Sequence, residues 1–196
     1  MHKWSDEGVT PVGIFTDLWN DLMKLIMTET NRYHQAKFGK KLFVTVEELY
    51  KVFGILLLSR YNKVPNRRLY WSRQPDTQNL AVIQCGMGVN RFEEIVRSLH
   101  FADNLKKTAE DKIYKVRPLF EYFNKIFFDF AQPLPMTWAI DEAMEPYYGH
   151  HGLKQFIRGK PVRFGYKFWC LCSHEGLLVN FKLYEGKDSG YKNIRT

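Results

Sequence analysis

Long apolar runs are missing from this chain. No stretch approaches the roughly 18 apolar residues of a membrane-spanning helix, and the opening Met1-His-Lys-Trp-Ser-Asp-Glu7 lacks the apolar core of a secretory signal. An intracellular protein that does not enter membranes is the expectation. Cysteine is scarce: there are three, an odd number, with Cys85 far from Cys170 and Cys172. This excludes a disulfide framework and fits the reduced thiols of cytosol or nucleus. Acidic residues are outnumbered, 21 against 29 lysines and arginines, for a net charge of +8 and a pI of about 9.3. That surplus favours an anionic partner, nucleic acid or an acidic membrane surface, with a merely solvated basic surface as the plain alternative. Core-forming material is not lacking. With 45% hydrophobic and 16% aromatic residues among 196, the chain can bury one large core or two small ones.

The first two-thirds reads as helical. Ile14, Phe15, Leu18, Leu22, Leu25 and Ile26 recur at three-and-four spacing, the apolar stripe of one helix. Thr10 and Pro11 supply its N-cap and first residue, and Gly39 its end. Thr45-Val-Glu-Glu48 matches a capping box. The helix it opens is apolar on nearly every side after Phe53, which predicts a central position, and Gly54 within it predicts the close approach of a neighbour. Residues 62–65 break the pattern. Arg67-Arg-Leu-Tyr-Trp71 is either a cluster for phosphate and base contact or a helix with core Leu69 and Trp71 and solvated arginines. A short apolar segment, 80–83, ends at Gly86 and Gly88. Asn90-Arg-Phe-Glu93 reads as a second cap, opening a helix with Phe92, Ile95, Val96 and Leu99 on one face. Residues 103–112 are polar and aperiodic, an exposed loop. From Pro118 a last helix carries Leu119, Phe123, Ile126, Phe127 and Phe130, and Pro133 and Pro135 end it.

At Gln132-Pro-Leu-Pro135 the composition changes from helical to strand patterns, so the candidate boundary separates a helical domain, 1–132, from a strand-rich one, 136–196. The second is organised around Met136-Thr-Trp-Ala-Ile-Asp-Glu-Ala-Met-Glu-Pro146, where a short strand, 137–140, delivers Asp141 into a turn. Tyr166-Lys-Phe-Trp-Cys-Leu-Cys172 is nearly continuous in apolar character, which predicts a strand covered on both faces. Ser173-His-Glu-Gly176 turns the chain, and 177–184 returns with Val179, Phe181 and Leu183 toward the core.

Asp141 is the candidate catalytic and metal-ligating residue. A carboxylate at a strand end, ahead of a basic glycine-containing loop, suits metal-dependent chemistry on phosphodiesters. Two divalent ions about 3.5–4 Å apart there neutralise the attacking and leaving oxygens. An aspartate that only starts a turn is the plain alternative. Glu142 would point to the opposite face of a continuing strand, and no pattern places Glu145, Glu175, Glu185 or Asp188 beside Asp141. Residues 149–167 contain Lys154, Arg158, Lys160, Arg163 and Lys167 with no acid, interleaved with Phe156, Phe164 and Tyr166. They form an anion-binding loop with stacking surfaces, or a solvated basic loop. Cys170 and Cys172 share a strand face, but with His150 and His151 they match no common zinc spacing and read as core residues.

Ala139-Ile-Asp-Glu-Ala-Met-Glu-Pro-Tyr-Tyr-Gly-His-His151, the segment Leu153-Lys-Gln-Phe-Ile-Arg-Gly-Lys-Pro-Val-Arg-Phe-Gly-Tyr-Lys167, and Tyr184-Glu-Gly-Lys187 resemble the piggyBac transposases and the host proteins derived from them. So does the helical region Asn90-Arg-Phe-Glu-Glu-Ile-Val-Arg-Ser-Leu-His-Phe-Ala-Asp-Asn104, within a likeness running from about Val46 to Lys187. The resemblance implies an α+β chain. A helical dimerisation and DNA-binding domain is followed by the first strands of an RNase H-like mixed sheet, the core of a DDE transposase. The first of that family's three catalytic aspartates falls on Asp141, with Mg²⁺ or Mn²⁺ as the implied cofactor. The second and third lie downstream of Thr196, so the expectation is a truncated, DNA-binding piece without a complete catalytic site. The alternative is part of an active cut-and-paste transposase that cuts and joins DNA. DNA contacts are expected from Lys154, Arg158, Lys160, Arg163 and Lys167, helped by Arg67 and Arg68. A homodimer and a nuclear location complete the expectation.

Overall fold

The computed structural model describes residues 10–132 and 137–186. They fall into two compact units, 10–107 and 108–186. The class is α+β.

The first unit is helical, with α1 (Pro11–Phe38), α2 (Val46–Tyr61), α3 (Leu80–Gln84) and α4 (Val89–Ser98). Its caps form as the sequence reads. Thr10 Oγ1 accepts the Gly13 amide at 3.1 Å, and Gly39 closes α1 at a φ of 67° that glycine adopts without a steric penalty. Thr45 Oγ1 accepts the Glu48 amide at 3.3 Å while Glu48 Oε2 accepts the Thr45 amide at 3.2 Å. Leu22, Met23 and Ile26 of α1 are buried, as are Leu49, Val52 and Ile55 of α2 and Phe92 and Ile95 of α4. Polar contacts fix what the apolar ones bring together. Asn31 acts as a strand partner for the chain before α2, its Nδ2 donating to Val44 O at 3.1 Å and its Oδ1 accepting the Val44 amide at 2.9 Å.

Two expectations fail here. α2 is not central: only Leu49, Val52 and Ile55 are buried along it, and Leu57 is 50% exposed. A Cβ built on Gly54 meets nothing within 4 Å, so no neighbour requires the glycine. The helix packs along one stripe because α1 and α4 offer it one side only. The second cap also lies elsewhere. α4 begins at Val89 with Gly88 as N-cap, while Asn90 sits inside the helix and accepts from Arg68 Nη2 at 2.9 Å. Arg67–Trp71 is a short 3-10 turn with Tyr70 buried.

The second unit combines α5 (Arg117–Phe130) with β1 (Trp138–Pro146), β2 (Gln155–Phe156), β3 (Phe164–Ser173) and β4 (Leu178–Leu183). Every pairing among the described residues is antiparallel. β3 pairs with β1 from Trp138↔Ser173 to Pro146↔Gly165, and its other side pairs with β2 and then β4. At Gly165 the strands run so close that a Cβ would lie 2.0 Å from Glu145 O. α5 covers one sheet face. Phe120 meets Phe168 and Phe181 at centroid distances of 5.8 and 5.3 Å, above buried Ile113, Leu153 and Leu183. Asn124 fixes the helix on β4, donating to Phe181 O and accepting the Phe181 amide, both at 2.9 Å.

The compact units divide before α5, at residues 107 and 108, whereas the change of sequence pattern falls at Gln132. Contacts to β4 tie this helix to the sheet, and its central ring is Phe120, outside the stripe read from the sequence. α5 ends at Phe130; Pro133, Pro135 and Met136 lie outside the described residues. The strand of Asp141 does not stop there but continues to Pro146, because β3 offers it partners for nine residues. Nor is β3 covered on both faces: Trp169 is 43% exposed, and its neighbour in β1, Ile140, 72%. β4 returns with Val179 and Leu183 buried, as expected, with a bulge opposite Leu171 and Cys172.

Candidate nucleic-acid interface beside Asp141

β1 and β3 set where the carboxylates point. Side chains alternate along a strand, so Asp141 shares a face with Ala139 and Ala143 and, across the register, with Cys170. Its side chain is exposed, and Oδ1 accepts the Glu142 amide at 2.7 Å. Burial raises the pKa of the Cys170 thiol, with Cys172 and Asp141 adding to the shift, so the thiol stays protonated at neutral pH. Glu142 turns to the opposite face, where Lys167 Nζ lies 2.5 Å and Lys160 Nζ 3.4 Å from its oxygens. Lys167 first, then Lys160, holds this carboxylate below the usual glutamate range.

The described residues do not bring together a divalent-metal site. Asp141 and Glu142 diverge, Glu185 approaches Arg117 at 4.0 Å, and Glu175 sits beside His174. Among the described residues no three of His, Cys, Asp and Glu converge on one position; Asp188 lies outside them. His151 accepts the Leu153 amide at 3.3 Å and packs edge-on against Tyr166. Asp141 alone cannot fill the coordination shell of Mg²⁺ or hold two such ions.

The basic segment folds as the hairpin of β2 and β3. Phe156 and Phe164 are cross-strand partners with ring centroids 4.7 Å apart, and the Ile157 amide bonds Arg163 O at 2.9 Å. The turn beyond carries Arg158, Gly159 at φ 91°, and Lys160. Its five cations separate into two groups. Lys160 and Lys167 are committed to Glu142, and Lys167 Nζ also lies 4.2 Å over the Trp169 ring. Arg158 and Arg163 are exposed with no acidic partner among the described residues, and Lys154 donates only to Gly149 O while lying 5.5 Å over Phe164. In the helical unit Arg68 is held by Asn90 and by Glu93 at 3.5 Å, and Arg67 lies over the Phe92 ring. The anchoring role of Glu142 was not read from the sequence. Its signal was the period-two alternation of a longer β1, which puts Glu142 on the face of Lys167.

A family model described as Transposase IS4 matches residues 10–196. The chain belongs to this piggyBac-type transposase family. Similar human proteins include PiggyBac transposable element-derived protein 3, 40% identical over 174 residues, and PiggyBac transposable element-derived protein 2, 42% identical over 181 residues. The alignments take in 89% and 92% of this chain but only 29% and 30% of those relatives, so the chain spans less than a third of their length. A cryo-EM structure of the piggyBac transposase synaptic complex with hairpin DNA superposes with a TM-score of 0.79, at 18% identity, over 98% of this chain and 42% of that one. At that identity the match shows a shared fold.

Proposed function

We propose that this chain is a DNA-binding part of a transposon-derived protein, that it grips the DNA backbone with the β2–β3 hairpin, and that it does not cut DNA by itself. The observation that carries this reading is the exposed, acid-free hairpin tip with Arg158 and Arg163. Phosphates attract such cations by releasing condensed counterions, without base-specific contacts. The solved relative in a complex with hairpin DNA supports the choice of DNA as the anion. Arg67 and Arg68 contribute less, because Arg68 is already paired. In this reading the sheet is the beginning of an RNase H-like core and Asp141 is one of the DDE carboxylates. It would act with Mg²⁺ only when further carboxylates converge on it, as in an active transposase of greater length. Homodimerisation and a nuclear location belong to the same reading, to be checked by sedimentation and by imaging of a tagged chain.

The test is duplex DNA affinity against salt, by fluorescence anisotropy, for this chain and for a variant with Lys154, Arg158, Lys160 and Arg163 reversed to Glu. Binding should weaken and the plot of log affinity against log salt should flatten by roughly three to four units. Unchanged binding would sink the assignment. For the catalytic half, no strand cleavage is expected with Mg²⁺ or Mn²⁺. Cleavage that disappears in Asp141→Asn would show that this chain completes a metal site on its own.

A further inference from the structure

The hairpin that offers cations to phosphate also offers rings. Phe156 and Phe164 are 57% and 52% exposed, their centroids 4.7 Å apart and their planes inclined by 36°. Two large apolar side chains left in water on a two-residue strand pairing stabilise little of the fold, since the neighbouring core is built from Leu153, Leu183 and Ile113. At 4.7 Å the pair is too close to admit a base between its rings, so a ligand would have to lie on an outer ring face. Lys154 Nζ lies 5.5 Å over the Phe164 ring, which puts a positive charge on the pair and leaves Phe156, the more exposed of the two, as the open ring face, and Arg158 and Arg163 follow within the same hairpin.

We propose, resting on the DNA-binding reading above, that Phe156 and Phe164 form a stacking platform for an unpaired base, while Lys154, Arg158 and Arg163 hold the phosphates on either side of it. The preferred ligand is therefore DNA carrying a bulged or single-stranded base. In an intact duplex each interior base already stacks on both faces and presents only its edge, so a blunt duplex leaves the platform empty. An unpaired base has a free face, and stacking on aromatic side chains is tolerant of which base it is. Alternation puts Phe164 on the same sheet face as Cys170, the register partner of Asp141, six residues further along β3. At the usual strand rise the platform lies about 20 Å from Asp141, about six nucleotides of a stacked strand.

The test uses the full chain and three labelled probes of equal length: a blunt duplex, the same duplex with a central two-nucleotide bulge, and that bulge with abasic sites. Wild type should bind the base-containing bulge about tenfold more tightly than either other probe. The variant Phe156→Leu/Phe164→Leu, which keeps apolar volume on the hairpin, should lose that preference and keep its affinity for the blunt duplex within about twofold. Phe156→Tyr/Phe164→Tyr should retain it. Equal binding of all three probes by wild type would overturn the platform while leaving the phosphate grip intact, and the rings would then serve a protein contact. An equal loss on all probes in the leucine variant would show that the rings only support the hairpin. No binding of any probe at low salt would overturn both this inference and the DNA-binding reading.

Discussion

The two units use charge differently. In the helical unit many charged side chains bond to one another: Arg91 reaches Glu48, Glu94 and Leu42 O, Arg68 reaches Glu93 and Asn90, and Arg32 bridges Glu29 and Asp103. In the sheet unit Glu142 restrains Lys160 and Lys167, whereas Arg158 and Arg163 extend from a narrow hairpin without a carboxylate. Position on the fold, more than net charge, decides which cations a ligand can reach. The +8 of the chain therefore overstates the charge open to a ligand.

Four substitutions sharpen that contrast, from the largest expected effect to the smallest. Gly165→Ala forces a Cβ into Glu145 O and should cost about 3 kcal/mol or more by overpacking a backbone that cannot yield. Hydrogen exchange should rise across β1 and β3 and stay unchanged in α1 and α2. Arg91→Ala removes charged hydrogen bonds to Glu48 and should lower the denaturation free energy of the helical unit by about 2 kcal/mol, with no loss of DNA affinity. Asn124→Ala breaks both bonds to Phe181 and should loosen α5 from β4 by about 1–2 kcal/mol. Hydrogen exchange at the Phe181 amide reads this directly. Glu142→Gln releases two lysines for phosphate and should raise duplex affinity several-fold and steepen its salt dependence; weaker binding would mean that Glu142 serves chiefly to hold the hairpin in shape.

Acid gives a related check. The Glu48 carboxyl is lowered first by its hydrogen bond to Arg91, against the raising effect of burial. A group with a depressed folded-state pKa stabilises fully above its unfolded value and loses that contribution as pH falls through the folded one. Denaturant midpoints of the helical unit should therefore fall on acidification below the ordinary glutamate range. In Arg91→Ala the fall should begin at the same pH, which the unfolded chain sets, but should be smaller and complete at higher pH.

What the sequence made legible was local. Thr10 with Pro11, Thr45 with Glu48, and Gly39 act within one helical turn of themselves, and all three appear in the structure as read. The features that were not legible depend on distant partners. Asn90 matches a cap pattern but bonds to Arg68, 22 residues earlier. β1 extends past Asp141 because β3 supplies partners, and a two-residue strand such as β2 has too little periodicity to be seen. Phe120 meets the sheet because β4 lies beside α5, which no helical stripe records. The cations of the hairpin were legible as a group, but their division by Glu142 required the fold.

The most direct measurement is a matched pair of reversals in one salt titration, Arg158→Glu/Arg163→Glu against Arg67→Glu/Arg68→Glu, on the same duplex. The expected result is a salt slope flatter by about two units for the hairpin variant, and by less than about half a unit for the helical one. Equal losses, or the larger loss in the helical unit, would contradict the assignment of the DNA grip to the β2–β3 hairpin.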